Sequence, residues 1–226
     1  MGPFALEWVR STRFGALAAV SLPTGKDPVP AEVLAQLDPA EAAFATSESG
    51  RRQIEIVGGR LAARAAAKHL GVAWPALLSG NEREPQCPPG VSASLTHKTD
   101  LAIALVARSS DGTVGIDLEG DERERVTIAS RVCRPEELEE IEALPENQRW
   151  LKILVRFAVK EAVYKAVFPH VRHYFGFQAA RVDATSGAVT MFLPPEDPRV
   201  EIESELEWLT PKRVLAMVRA RLASRA

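Results

Sequence analysis

The sequence predicts an α+β fold, and three observations carry that prediction. Two long stretches, Arg52 to Leu70 and "WLKILVRFAVKEAVYKAVFP" in the second half, have helical periodicity. Short β-like runs follow each of them, "SASLTH" and "LAIALVA" after the first, "RVEIESELEWL" and "KRVLAMVRARL" after the second. Between them "TVGIDLE" alternates apolar and acidic residues with a strand period. Strands are thus mixed with helices in both halves. With 226 residues, 46% of them hydrophobic, the chain can bury one large core or two small ones.

Charge and cysteine usage narrow the classes. Lys and Arg number 28 against 30 Asp and Glu, and a net charge of -2 offers no global attraction to nucleic acid or an anionic membrane, so any basic site must be local. No stretch approaches a membrane-spanning length, which points to a soluble protein. Cys87 and Cys133 make neither a metal-type spacing nor a disulfide framework; they read as ordinary thiols of a reducing, cytoplasmic compartment.

Taken in order, Arg10 and Arg13 before "FGALAAVSL" loosely imitate a signal peptide, but Phe4, Leu6, Glu7 and Trp8 precede the charges and the apolar run is short, so an ordinary strand is expected. In "MGPFAL", Leu6 stands where a myristoylation signal needs Ser or Thr. The loop "PTGKDPVP" leads to a short helical piece near Ala31 to Phe44 and a break at "TSESG". The alanine-rich helix Arg52 to Leu70 ends at Gly71; Leu61, Ala62, Ala66 and Leu70 can face a core, while Arg60, Arg64 and Lys68 form one stripe that, taken alone, is a solvated face. After the proline-dense loop "NEREPQCPPG" come two short strands, the second uniformly apolar and buried. In "TVGIDLE" Val114, Ile116 and Leu118 fall on one strand face, Asp117 and Glu119 on the other.

"RPEELEEIEALPE" reads as a helix with Pro135 in its first turn and is assigned no chemistry. The next helix is expected to run to about Phe168, with Pro169 past its end, and brings Phe157, Glu161, Tyr164, Lys165 and Phe168 close together, Lys160 lying about a quarter-turn away. Three strand-like runs follow, around Gln178 to Asp183, Ala188 to Leu193, and the run in which Val200, Ile202 and Leu206 alternate with glutamates; a final strand ends the chain.

The chemistry lies in the carboxylates. Asp117, Glu119 and Glu161 are hard oxygen ligands of the kind that hold Mg²⁺, with substrate phosphates completing the shell. Lys160, Lys165, His97 and the stripe containing Arg60 would neutralise those phosphates. Each feature also has a bland account: Glu161 and Lys165 make an i,i+4 helix pair worth about 0.2–0.5 kcal/mol, and Asp117 and Glu119 face water. Spacing alone does not bring the three carboxylates together.

"SASLTHK" at Ser92 to Lys98, "GIDLEG" twenty residues beyond its histidine, and "RFAVKEAVYKAVFP" further on resemble the three ordered motifs of the 4'-phosphopantetheinyl transferases. "RRQIEIVGGRLAAR", "REPQCP" and "YFGFQAARV" resemble the enterobactin-synthase type of that superfamily, so the resemblance covers about Arg51 to Val182. The sequence departs from the family pattern at Ala158, where serine is usual, at Cys87, where tryptophan is usual, and at Lys98, where cysteine often follows the histidine.

The resemblance implies a single-chain, monomeric pseudodimer of two similar α/β halves with the active site between them, residues 1–112 contributing to binding of the coenzyme A nucleotide and 113–226 to metal binding and catalysis. It implies that coenzyme A donates its phosphopantetheine arm to a serine of an apo acyl or peptidyl carrier protein, with Mg²⁺ or Mn²⁺, as in secondary metabolite biosynthesis. Asp117, Glu119 and Glu161 then hold the metal, Glu161 is the general base directly or through water, and Lys160 and Lys165 face the leaving phosphate. His97, Arg52 and Arg60 contact coenzyme A phosphates, Arg83 joins them as a weaker carry-over, and Tyr164 lines the pantetheine channel or packs in the core. His69, His170 and His173 stay outside the site as surface or core residues. Two rivals share the residues: another Mg²⁺-dependent phosphoryl-transfer enzyme such as a nuclease, which should present a broad basic surface, and a non-catalytic binding module, which would not need all three carboxylates and both lysines.

Overall fold

In the computed structural model, residues 3–80, 84–121 and 124–223 are described, and the chain divides into two compact units, Met1–Gly112 and Thr113–Ala226. In the first, β1 (Leu6–Thr12) and β2 (Gly15–Ser21) form a hairpin. Then come α1 (Ala31–Leu34), α2 (Pro39–Thr46), α3 (Gly50–Leu70), the two-residue pair β3 (Leu78–Ser79) and β4 (Pro85–Gln86), and the hairpin β5 (Val91–His97) and β6 (Leu101–Arg108). The sheet is antiparallel in the order β1-β2-β6-β5, so "FGALAAVSL" is an interior strand and the first twenty residues build half the sheet.

Helix α3 lies on this sheet through a stripe of small residues. Ala62, Ala63, Ala66 and Ala67 are fully buried, and a Cβ on Gly58 would stand 2.2 Å from Leu22 Cδ2, so the helix sits as close as backbone and methyl groups allow. It ends where expected, at Gly71, left-handed at φ 70°, with the Val72 N–H bonding the Ala67 carbonyl. The single helix expected over Ala31 to Phe44 is instead two. Asp38 and Pro39 restart it: Asp38 accepts from the Ala40 N–H, Glu41 reaches back to the Asp38 N–H, and Pro39 occupies the first turn.

The second unit contains β7 (Thr113–Gly120), α4 (Ala129–Val132), α5 (Pro135–Glu142), α6 (Glu146–Val171), β8 (Ala180–Val182), β9 (Val189–Met191), β10 (Val200–Thr210) and β11 (Arg213–Leu222). Its main sheet is antiparallel in the order β10-β11-β7. Helix α6 packs on it through Ala158, Ala162 and Ala166, all fully buried, against Val214, Ala216, Val218 and Ala220 of β11. Pro169 does not end α6; it stands inside the last turn, where only one helical bond is forgone, and the terminator is Arg172 at φ 55°, whose N–H bonds the Phe168 carbonyl. The acidic face of β10 is solvated and partly paired, Glu203 meeting Arg221 and Arg219 of β11. Cys133 is buried and Cys87 half-buried, and burial pushes both thiols up to about 11, so neither is a ready nucleophile. Among the described residues no helix is long and apolar enough to cross a membrane.

Candidate functional site

The second unit places its carboxylates through one packing requirement. Asp117 pairs across the sheet with Ala216 and Glu119 with Val214, so both acids share the β7–β11 face that α6 covers. Gly115, two residues before Asp117 on that face, has no side chain, and a Cβ there would lie 1.8 Å from the Ala162 carbonyl oxygen. The close approach brings Glu161 and Lys165, one on each side of Ala162 along α6, to the acids of β7. Lys165 Nζ donates to Asp117 Oδ1 at 2.7 Å and to the Ile116 carbonyl at 2.9 Å. Asp117 is 7% exposed, so this acid does not simply face water.

Glu161 shows the electrostatic effect of the arrangement. Burial, then repulsion from Asp117 and Glu119, holds its carboxyl above the usual range, and Lys165 only partly offsets them. Three hard oxygen donors within electrostatic reach of one another suit a divalent ion in donor chemistry. They are not a ready-made cage: among the described residues, no group of three His, Cys, Asp or Glu side chains is arranged to hold a metal. The repulsion that raises Glu161 is what a bound cation would relieve.

Lys160, expected at the leaving phosphate, points elsewhere. Its ammonium is buried and donates to Glu137 Oε2 at 2.5 Å and to the Val132 carbonyl at 2.8 Å. Glu137 is itself wholly buried, accepting also from the Arg134 and Val182 N–H groups and lying 3.6 Å from Arg156 Nε. The segment "RPEELEEIEALPE", assigned no chemistry, thus supplies the anion that locks α5 to α6. A quarter-turn on the helix separates Glu161, beside the β7 acids, from Lys160, an inward brace on Glu137. Lys160→Ala is therefore expected to destabilise the second unit by about 3 kcal/mol by leaving a buried carboxylate underpaired, visible as an earlier urea midpoint by circular dichroism. An unchanged midpoint would show that the Lys160–Glu137 pair does not brace α5 on α6.

Tyr164 stands in a four-ring cluster with Phe168, Tyr174 and Phe175, at centroid distances of 5.7, 6.1 and 4.9 Å, one turn from both Lys160 and Phe168. Phe157 packs on Phe177 at 5.8 Å.

In the first unit, the arginine stripe is not a solvated face. Arg60 is 6% exposed and lies over the Phe44 ring at 5.1 Å, and burial lowers its pKa. Arg64 donates twice to the fully buried Glu41, which also accepts from the Leu77 N–H; only Lys68 is exposed. Arg52 is exposed. His97 ends β5 with Nδ1 3.5 Å from Glu55 Oε1. Arg83 lies outside the described residues. The remaining histidines have structural partners: His69 with Ser11, His170 with Thr113 and His173 with Asp197. Sequence reasoning missed Glu41, Glu137 and the Arg51–Glu55 pair; Glu41 carried a signal in its capping-box spacing from Asp38, and the pair in its i,i+4 spacing.

Comparison with known proteins places these residues in context. A profile described as 4'-phosphopantetheinyl transferase superfamily matches residues 113–217, and one described as 4'-phosphopantetheinyl transferase N-terminal domain matches residues 40–107. The chain is 33% identical over 146 residues to 4'-phosphopantetheinyl transferase PptT of Mycobacterium tuberculosis, a match covering 64% of this chain and 63% of that protein. It is 32% identical over 167 residues to 4'-phosphopantetheinyl transferase Svp of Streptomyces mobaraensis, covering 71% and 67%, and 29% identical over 155 residues to enterobactin synthase component D of Salmonella typhi, covering 66% and 62%. The matched stretch spans somewhat under two thirds of the length of the first of these relatives.

Proposed function

Because the chain belongs to the 4'-phosphopantetheinyl transferase superfamily, we propose that it transfers the 4'-phosphopantetheine arm of coenzyme A to a serine of an acyl or peptidyl carrier protein. The serine oxygen bonds to the phosphorus that carries the pantetheine arm, the bond from that phosphorus to the bridging oxygen breaks, and adenosine 3',5'-bisphosphate leaves. The observation that carries the reading is the acidic face of β7 held against Glu161 and Lys165 of α6, inside the matched residues.

Each side chain has a task suited to its surroundings. Glu161, set beside Asp117 and Glu119, is the carboxylate placed to take the serine proton, directly or through a water. Lys165 supplies a fixed positive charge beside the charge that develops on the departing phosphate. Asp117, Glu119 and Glu161 would hold Mg²⁺, or Mn²⁺ in its place, and the ion when bound neutralises diphosphate oxygens. His97 and Arg52 take the nucleotide phosphates, with Arg60, buried over the Phe44 ring, adding positive charge rather than a direct contact. Lys160 is left out of the substrate set, because its ammonium is committed to Glu137.

Incubation with coenzyme A, Mg²⁺ and a panel of apo carrier proteins, read by intact mass, tests this. A carrier should gain one phosphopantetheine group, and chelation should abolish the gain. If no carrier shifts while added DNA is cut, the nuclease reading replaces this one.

A further inference from the structure

The doublet Arg51-Arg52 at the start of α3 is divided between two duties. Arg52 is exposed, whereas Arg51 is spent on the fold. Its Nη1 donates to the Pro23 carbonyl at 2.6 Å, its Nη2 to the Lys98 and Thr99 carbonyls at 3.0 and 2.5 Å, and its Nε to Glu55 Oε1 at 3.2 Å. One planar guanidinium thereby ties the first turn of α3 to the segment leaving β2 and to the turn that follows His97. That turn is closed by the Lys98 N–H on the Leu101 carbonyl at 2.8 Å.

Glu55 stands between this clamp and the histidine. The Oε1 that accepts from Arg51 is the atom 3.5 Å from His97 Nδ1. The His97 side chain is 39% exposed, at the end of a strand, where burial alone does not set its ring orientation. A carboxylate on the Nδ1 side selects which ring nitrogen turns inward and which carries the proton of the neutral ring, directing Nε2 away from Glu55. A lone carboxylate next to a phosphate contact would repel the ligand; the Arg51 contact balances its charge.

We propose that Glu55 is a positioning residue for coenzyme A binding: paired with Arg51, it fixes the His97 ring so that Nε2 is presented to a nucleotide phosphate. The assignment rests on the reading of His97 as a phosphate contact. Removing Glu55 lets the ring rotate and change tautomer, so affinity for the donor falls while the chemistry at Glu161 does not change.

Two measurements on the full chain decide it. Ring ¹⁵N spectra of the ligand-free protein in mildly alkaline buffer should show the His97 proton on Nδ1 in the wild type and a shift toward Nε2 in Glu55→Ala, with Glu55→Asp between them. In carrier modification, Glu55→Ala should raise the coenzyme A KM by about tenfold with kcat nearly unchanged, raise the dephospho-coenzyme A KM less, and be partly rescued by Asp. Glu55→Gln, which keeps size and an acceptor but no charge, covers the case in which Ala unfolds the turn: it should keep the ring pattern and lose part of the affinity. An unchanged His97 pattern in Glu55→Ala, or an unchanged coenzyme A KM, overturns the proposal. Should the wild type modify no carrier, the transferase reading falls, and the ring spectra with calorimetric coenzyme A affinity still decide the role of Glu55.

Discussion

Glu161→Gln is expected to lower carrier modification by about 10²–10⁴-fold, the range a general base contributes, and at the same time to make the metal-free protein more resistant to heat. The activity loss follows from removing the only acid on α6 that faces the β7 pair. The stability gain follows from the sign of the Glu161 shift. Burial and the neighbouring Asp117 and Glu119 raise its carboxyl in the folded chain, so the folded state holds that proton more tightly than the unfolded state does. Below the ordinary glutamate range the contribution favours folding in full; as pH rises through the raised value it is lost, and an ionised, crowded carboxylate remains. Glutamine has no such penalty. The melting temperatures of wild type and variant should therefore diverge as pH increases, and Mg²⁺ should narrow the gap by stabilising the wild type more than the variant.

Asp117→Asn is a useful companion because two terms oppose each other there. It deletes an ion pair with a partly exposed lysine, worth less than about 1 kcal/mol, and it relieves repulsion on Glu161. Stability should therefore barely move while activity collapses. Full turnover in either variant, with the circular dichroism spectrum unchanged, would remove the substituted residue from the chemistry.

Period and punctuation made much of the fold legible. The alternation over Thr113 to Glu119 put both acids on one strand face, and Gly71 marked the end of α3, because those signals act within a few residues. What failed was non-local. Pro169 reads as a stop, yet the last turn absorbs it and Arg172 ends the helix. Arg64 reads as solvated along with Lys68, and Lys68 is exposed, but which face of a helix meets water depends on what folds over it, and the buried Glu41 claims Arg64. The resemblance puts both Lys160 and Glu161 at the site, but the hundred degrees between neighbours on a helix sends one inward to Glu137 and leaves the other at the acids. The assembly of the carboxylates was beyond spacing altogether, since it depends on how near α6 comes to β7.

That distance is set by Gly115, and Gly115→Ala should be among the most damaging single changes in the second unit. The added Cβ would sit 1.8 Å from the Ala162 carbonyl oxygen and 2.8 Å from the Ala166 backbone nitrogen. Both are backbone atoms of one helix, so no side chain can swing aside, and relief requires α6 to move off β7 by more than an ångström. Ala158, Ala162 and Ala166 have no reach to refill that gap, and the loosened contact spreads to the β11 valines packed on the same helix. A cost of about 3 kcal/mol or more is expected from overpacking of this severity, equivalent to a fall in Tm of roughly 6–12 °C for a chain of this size. The functional effect should be separable from the thermal one. At a temperature where the variant is still folded, displacement of α6 carries Glu161 and Lys165 away from Asp117, so kcat should fall by more than tenfold. Thermal unfolding by circular dichroism together with single-turnover kinetics reads both. A Gly115→Ala protein with wild-type Tm and wild-type turnover would show that α6 does not rest on β7 as closely as the Gly115–Ala162 approach requires.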